Sequence, residues 1–198
     1  MNYSNYIVID FETDGTNPET CQPIQIAAIV LNPRNLEQYP GAEFNSYIRP
    51  DFKSLDVTAL EINKIKKEDL EEAPTPKIVW KSFCKFVSQY DVIYDDEKYK
   101  PVPVGYNLNY DLTIANRLNK LYGKDIFSIF SLDVMYMVYM WFESSNQLKS
   151  LRLDSVREKF KIPSKGAHDA LKDVKDTAII LRKFLNLHRE MNKRDIKW

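Results

Sequence analysis

Apolar positions in the first fifty residues fall in short β-branched runs separated by turn residues. Tyr6-Ile7-Val8-Ile9-Asp10-Phe11 is one run, Pro23 to Leu31 a second, and Ala42 to Ile48 a third, closed by Arg49-Pro50. Asn32-Pro33-Arg34-Asn35 carries turn chemistry between the second and the third. Three strands joined by short loops predict an antiparallel meander. The period then changes. Asp56 to Ile65 and Lys67 to Glu72 read as short helices, and Pro76 to Tyr90 places Ile78, Val79, Phe83, Phe86 and Val87 at helical spacing. Asp95 to Lys100 is polar and reads as a solvated loop. Val102 to Tyr106 is a short strand, and Asp111 to Tyr122 a helix stopped near Gly123. Val134 to Phe142 and Leu148 to Phe160 are further helices. The last, about Ala167 to Met191, sets Ala170, Val174, Ala178, Leu181, Leu185 and His188 on one stripe. A meander followed by alternating helices and strands predicts an α/β fold, a mixed sheet packed by helices.

Composition narrows this picture. The length suits a single domain over 1–198, with no internal repeat or low-complexity tract. No apolar run is long enough to span a membrane. The N-terminal segment, Met1-Asn2-Tyr3-Ser4-Asn5, does not read as a secretory signal. Cys21 and Cys84 have neither metal nor redox spacing and are expected to be reduced, in a cytoplasmic protein. Lys plus Arg and Asp plus Glu both number 28, so the chain is no generic polyanion binder. Any nucleic-acid contact has to come from a local patch or from bound metal.

Candidate chemistry begins at Asp10 and Glu12. Side chains alternate along a strand, so both carboxylates leave one face of one strand. Like charges so placed repel, and a divalent cation between them removes the objection. Asp111 follows an Asn-rich turn, Asn107-Leu108-Asn109, on the first turn of a helix, where negative charge is favoured. Taken alone it also reads as a capping acid. His168 and Asp173 open the last helix, roughly 140° apart around its axis at about 100° per residue. His168 is expected at the N-cap or just before it. Asp176 could share the face of Asp173.

These segments together resemble a family. Asp10-Phe11-Glu12-Thr13-Asp14-Gly15 is similar to the first motif of the DEDDh 3′–5′ exonucleases, the family of proofreading epsilon-type subunits, RNase T and oligoribonuclease. Gly105-Tyr106-Asn107-Leu108-Asn109-Tyr110-Asp111 resembles their second motif. His168, Ala170-Leu171 and Asp173-Val174 resemble the third. The similarity runs from about Tyr6 to Leu187, which sets the expected domain core at about 6–187. The resemblance implies a ribonuclease H-like fold and two Mg²⁺ or Mn²⁺ ions. Asp10, Glu12 and Asp173 would hold the first ion. Asp10 would also reach the second, which Asp111 supports. His168 would be the general base, with Thr13 and Asn107 at the substrate. Hard cations prefer oxygen ligands, and an imidazole can take a proton near neutral pH. The chain departs from the family at Tyr106, where His is common, at Asp14, and at Thr16-Asn17. These changes leave the metal ligands untouched and fall where the resemblance puts the grip on the terminal nucleotide.

Plainer readings stand beside these. His188 is expected to be structural. Lys161, Lys165, Lys172 and Lys175 either contact phosphates or form a solvated face. The aromatics of 135–142 are expected in the core, with base stacking as the alternative. Gln147-Leu148-Lys149-Ser150-Leu151 faintly resembles a sliding-clamp peptide. The expected activity is release of nucleoside 5′-monophosphates from the 3′ ends of single-stranded DNA, with RNA as the alternative substrate. A DNA polymerase is a candidate partner. The rival reading is a non-catalytic nucleic-acid or polymerase-binding module on the same fold.

Overall fold

The first three apolar runs pair as the meander that their short connections require. The computed structural model describes residues 4–123 and 125–193. It opens with β1 (Tyr6–Thr13), β2 (Pro23–Leu31) and β3 (Gln38–Tyr47). Three helices follow, α1 (Val57–Asn63), α2 (Lys67–Glu72) and α3 (Pro76–Ser88). Then come β4 (Val92–Tyr94), β5 (Glu97–Tyr99), β6 (Val102–Gly105) and α4 (Leu108–Tyr122). The chain continues through β7 (Leu132–Asp133), α5 (Val134–Phe142), α6 (Leu153–Phe160) and α7 (Ala170–Asn192). The main sheet has the order β3-β2-β1-β6-β7. β1 pairs antiparallel with β2 and parallel with β6.

Alternation along β1 divides the core in two. Ile7, Ile9 and Phe11 pack with Val79, Trp80 and Phe83 of α3 and with Ile114 and Leu118 of α4. Val8 packs on the other face with Val104, Val134, Val138, Ala170, Val174 and Ala178. β2 is buried along its whole length. That is why it reads as a nearly continuous apolar run rather than an alternating one. β6 pairs with β1 only from Tyr6 to Val8 and then turns toward α4. A Cβ on Gly105 would meet Leu108 Cδ1 at 2.8 Å, so glycine here lets the Leu108 side chain pack close against the turn. The far end of β1 is therefore left open beside β6, at the carboxyl edge of a sheet, where α/β folds form their crevices.

Several elements differ from the sequence expectation. The polar run Asp95 to Lys100 is no loop: β4 and β5 form a hairpin around Asp95 and Asp96, at φ 50° and 60°. Both strands are only three residues long and mostly exposed, so no apolar alternation announced them. α4 starts at Leu108, before Asp111, because the Asp133 carboxylate accepts the N–H groups of Asn107 and Leu108 at 3.0 Å each. α6 starts at Leu153, not Leu148, and the Tyr106 hydroxyl donates to the Leu151 carbonyl in the preceding loop. Within α5 only Val134, Val138 and Phe142 are buried, and Tyr136, Tyr139, Met140 and Trp141 are exposed. The aromatic run is thus half surface, because a single short helix turns one side to the sheet. Among the described residues no helix is long and apolar enough to cross a membrane. Residues 1–3, on which the reading of the N-terminal segment rests, lie outside the described residues.

Candidate active site

Asp10 and Glu12 continue the face of β1 on which Val8 is buried. Their partners on β2 are Ala27 and Gln25. Ala27 is small, and Gln25 is the one polar side chain in β2. The Gln25 amide donates to Asp169 at 3.2 Å and to Asn45 at 3.0 Å. Its carbonyl oxygen accepts the Ala170 N–H at 3.3 Å. Gln25 thereby ties the start of α7 to the middle of the sheet. Asp169 is the N-cap of that helix and accepts from the Lys172 N–H at 3.0 Å. One turn later Asp173 meets the strand. Asp10, Glu12 and Asp173 each bring a carboxylate oxygen within 4.8 Å of the others.

Asp111 reaches the same place from the other side. Phe11 lies past the last residue that β6 pairs, and its N–H donates to Asp111 Oδ1 at 3.0 Å. Asp111 is buried and is not the helix cap; Asn107 occupies that position with φ 60° and makes no side-chain capping bond. Asp111 stands outside the group of three, but its charge acts on Asp10.

The cluster is electrostatically costly without a cation. Burial, then Asp111, Glu12 and Asp173, push the Asp10 carboxyl well above the ordinary aspartate range. Burial, then Asp173 and Asp169, push Glu12 up to about 7. Burial raises Asp111 too, against the Phe11 N–H that favours its charged form. Asp173 is raised by burial, while Arg157 and His168 pull it back. Oxygen-only donors, crowded and desolvated, are the chemistry of a hard divalent cation site.

His168 precedes the cap at φ 67°, in the left-handed region that few side-chain-bearing residues occupy. Its side chain is 44% exposed, with Nε2 3.9 Å from Asp154 Oδ2. It lines an open cleft of about 650 Å³ with Asp173, Asn107, Tyr106 and Arg157. Asn107 is exposed there. The Thr13 hydroxyl is engaged inward, with the Gly15 carbonyl at 2.8 Å and the Tyr110 hydroxyl at 2.7 Å. Of the four lysines, Lys172 pairs with Asp176 and Lys175 with Glu43. His188 is exposed at the far end of α7.

Three contributors escaped the sequence reading. Gln25 was detectable as the lone polar residue of an apolar strand. Asp133, which sets the start of α4, had no local signal. Arg157 sits on the apolar stripe of α6 formed by Leu153, Val156 and Phe160, and a charge on such a stripe was the available signal.

Comparison with known proteins identifies the family and the fold. A family model described as Exonuclease, of RNase T type, matches residues 7–181. The PolC-type DNA polymerase III of Thermotoga maritima is 24% identical over 189 residues, covering 95% of this chain and 12% of that protein. The DNA polymerase III epsilon subunit of Buchnera aphidicola is 29% identical over 120 residues, 58% of this chain and 45% of its own. Exonuclease I of E. coli, solved with a dT13 oligonucleotide, superposes with a TM-score of 0.76 at 19% identity. That superposition covers 96% of this chain and 43% of the exonuclease, and it shows a shared ribonuclease H-like fold. The chain spans less than half the length of each of these relatives.

Proposed function

Because the chain belongs to the exonuclease family of RNase T type, we propose that it is a metal-dependent 3′–5′ exonuclease acting on single-stranded DNA ends. The observation that carries this reading is the convergence of Asp10, Glu12 and Asp173 within 4.8 Å from two elements remote in sequence. In this reading the three hold one Mg²⁺ or Mn²⁺, while Asp111 and Asp10 hold a second. When bound, such a pair supplies charge stabilisation for the attacking and leaving oxygens of an in-line displacement.

The remaining chemistry belongs to the chain. Asn107, exposed at the cleft, and the backbone around Thr13 position the terminal nucleotide. His168 accepts the proton of the attacking water through an imidazole nitrogen. The water oxygen bonds to the terminal phosphorus and the bond to the preceding 3′ oxygen breaks. A nucleoside 5′-monophosphate leaves, and the departing 3′ oxygen takes a proton from solvent, so the shortened strand ends in a 3′ hydroxyl. The complete set of acidic residues and the presence of His168 support an active enzyme over a binding module. The similarity to two polymerase III proteins supports work beside a replicative polymerase. The dT13 bound by exonuclease I supports a single-stranded DNA substrate.

The test is a 5′-labelled single strand, as DNA and as RNA of the same sequence, incubated with Mn²⁺ or with EDTA. A ladder shortening from the 3′ end, faster on DNA and absent in EDTA, is expected. Full cutting in EDTA overturns the metal reading, and faster RNA cutting overturns the substrate.

A further inference from the structure

The Arg157 side chain is 1% exposed, and each nitrogen of its guanidinium faces a different carboxylate. Nε donates to Asp176 at 2.8 Å, Nη1 to Asp154 at 2.7 Å and Nη2 to Asp173 at 2.5 Å. Asp176 is itself buried and also takes the Lys172 ammonium. Arg157 is therefore fixed from both sides, held by Asp176 and Asp154 while it holds Asp173. Its charge also reaches Asp10 and Glu12. Arg157 is not what places its two helices. α6 already packs through Val156, and Asp173 already sits one turn from a capped helix start.

We propose that Arg157 is a positioning residue that stands in for the metal: it neutralises Asp173 in the metal-free chain and thereby weakens cation binding at the Asp10–Glu12–Asp173 site. This rests on the metal-dependent reading above. The physical argument is competition. A fixed positive charge bonded to one oxygen of the Asp173 carboxylate repels a divalent ion that approaches the same group. It also removes part of the like-charge repulsion that metal binding would otherwise relieve. The consequence is a site that tolerates being empty and that releases its ion more readily.

The test compares the wild type, Arg157→Met and the double variant Arg157→Met/Asp176→Leu. The double variant removes the arginine together with its most buried carboxylate, so Asp176 is not left buried without it, and this keeps the test alive if the single variant does not fold. Two quantities are measured: the Mn²⁺ dissociation constant by calorimetry, and the melting temperature in EDTA and in saturating Mn²⁺. The expected result is Mn²⁺ binding tighter by about tenfold or more in the variants, given the size of a nearby unit charge. A larger Mn²⁺-induced rise in melting temperature should accompany it. A merely structural Arg157 would lower both melting temperatures equally and leave the dissociation constant unchanged, which overturns the proposal. Weaker Mn²⁺ binding in the variants overturns it as well. A wild type that binds no Mn²⁺ overturns this proposal together with the metal reading; a wild type that binds it, with variants that bind it equally, overturns this proposal alone.

Discussion

At the scale of single residues, the carboxyl cluster sets how stability responds to pH. Glu12 sits at about 7 in the fold against 4.5 for an ordinary glutamate, so folding raises it. A group raised in this way contributes stability below about pH 4.5 that is lost as the pH climbs through about 7. Asp10 and Asp111 shift in the same direction. The metal-free chain should therefore lose melting temperature from about pH 5 to about pH 8, and Asp10→Asn should reduce that loss. Thermal melts in EDTA across this range check it; a loss of equal size in the variant would contradict it. The same substitution should abolish nuclease activity. His168 gives a second prediction. His168→Ala should lower turnover by about 10²–10⁴-fold and remove the rise of rate with pH, with Mn²⁺ binding retained. Turnover and Mn²⁺ affinity measured separately decide this, and an unchanged pH profile would reduce His168 to a helix-start residue.

At the scale of elements, function depends on where helices begin. α7 starts at Ala170 because Gln25 and Asp169 satisfy its first backbone groups. Gln25→Leu leaves the Ala170 N–H and the Asp169 carboxylate without that partner. It should cost about 1–3 kcal/mol of stability and lower turnover further by loosening Asp173. Chemical denaturation beside single-turnover kinetics separates the two effects, and unaltered kinetics would show that the cap alone holds the helix. The β4–β5 hairpin offers a control remote from the cleft. Asp95 and Asp96 both hold positive φ, which Asn-Gly adopts more easily. Asp95→Asn/Asp96→Gly should stabilise the chain by about 0.5–1 kcal/mol, a fraction of the left-handed cost, with unchanged nuclease activity. Equilibrium unfolding reads the sign directly.

At the scale of the whole molecule, the sheet order puts β1 between an antiparallel and a parallel neighbour, and the site opens where β6 stops. Helices from both faces deliver carboxylates to that opening, Asp111 from α4 and Asp173 from α7. The proposed chemistry begins at a free 3′ end. A circular single strand should therefore resist degradation, and a strand with a 3′ phosphate should be cut poorly. Rapid cutting of circles would point to an internal endonuclease instead.

How much of this was legible in the chain follows from the range of the forces involved. The alternation of Tyr6 to Phe11 predicted the first strand and put Asp10 and Glu12 on one face, because strand period is a local property. The apolar spacing of 170–181 predicted the last helix for the same reason. The meander and the α/β class followed from short connections and changing period, and three ordered motifs pointed to the family. The hairpin at 92–99 was missed because Val92-Ile93-Tyr94 is too short to show alternation and its partner Glu97-Lys98-Tyr99 is mostly polar. The start of α4 at Leu108 was missed because it depends on Asp133, distant in sequence. Arg157 was passed over inside its helix, although it stands on the apolar stripe, and its three carboxylate partners follow only from packing. The acid at 111 looked locally like a cap, and its real partner, the Phe11 N–H, exists because β6 ends early. Periodicity along the chain thus determined the elements and their faces. The motifs named the carboxylates of the site; tertiary contacts decided how Arg157 and Asp176 meet them, since desolvation and Coulomb coupling act through space rather than along the chain.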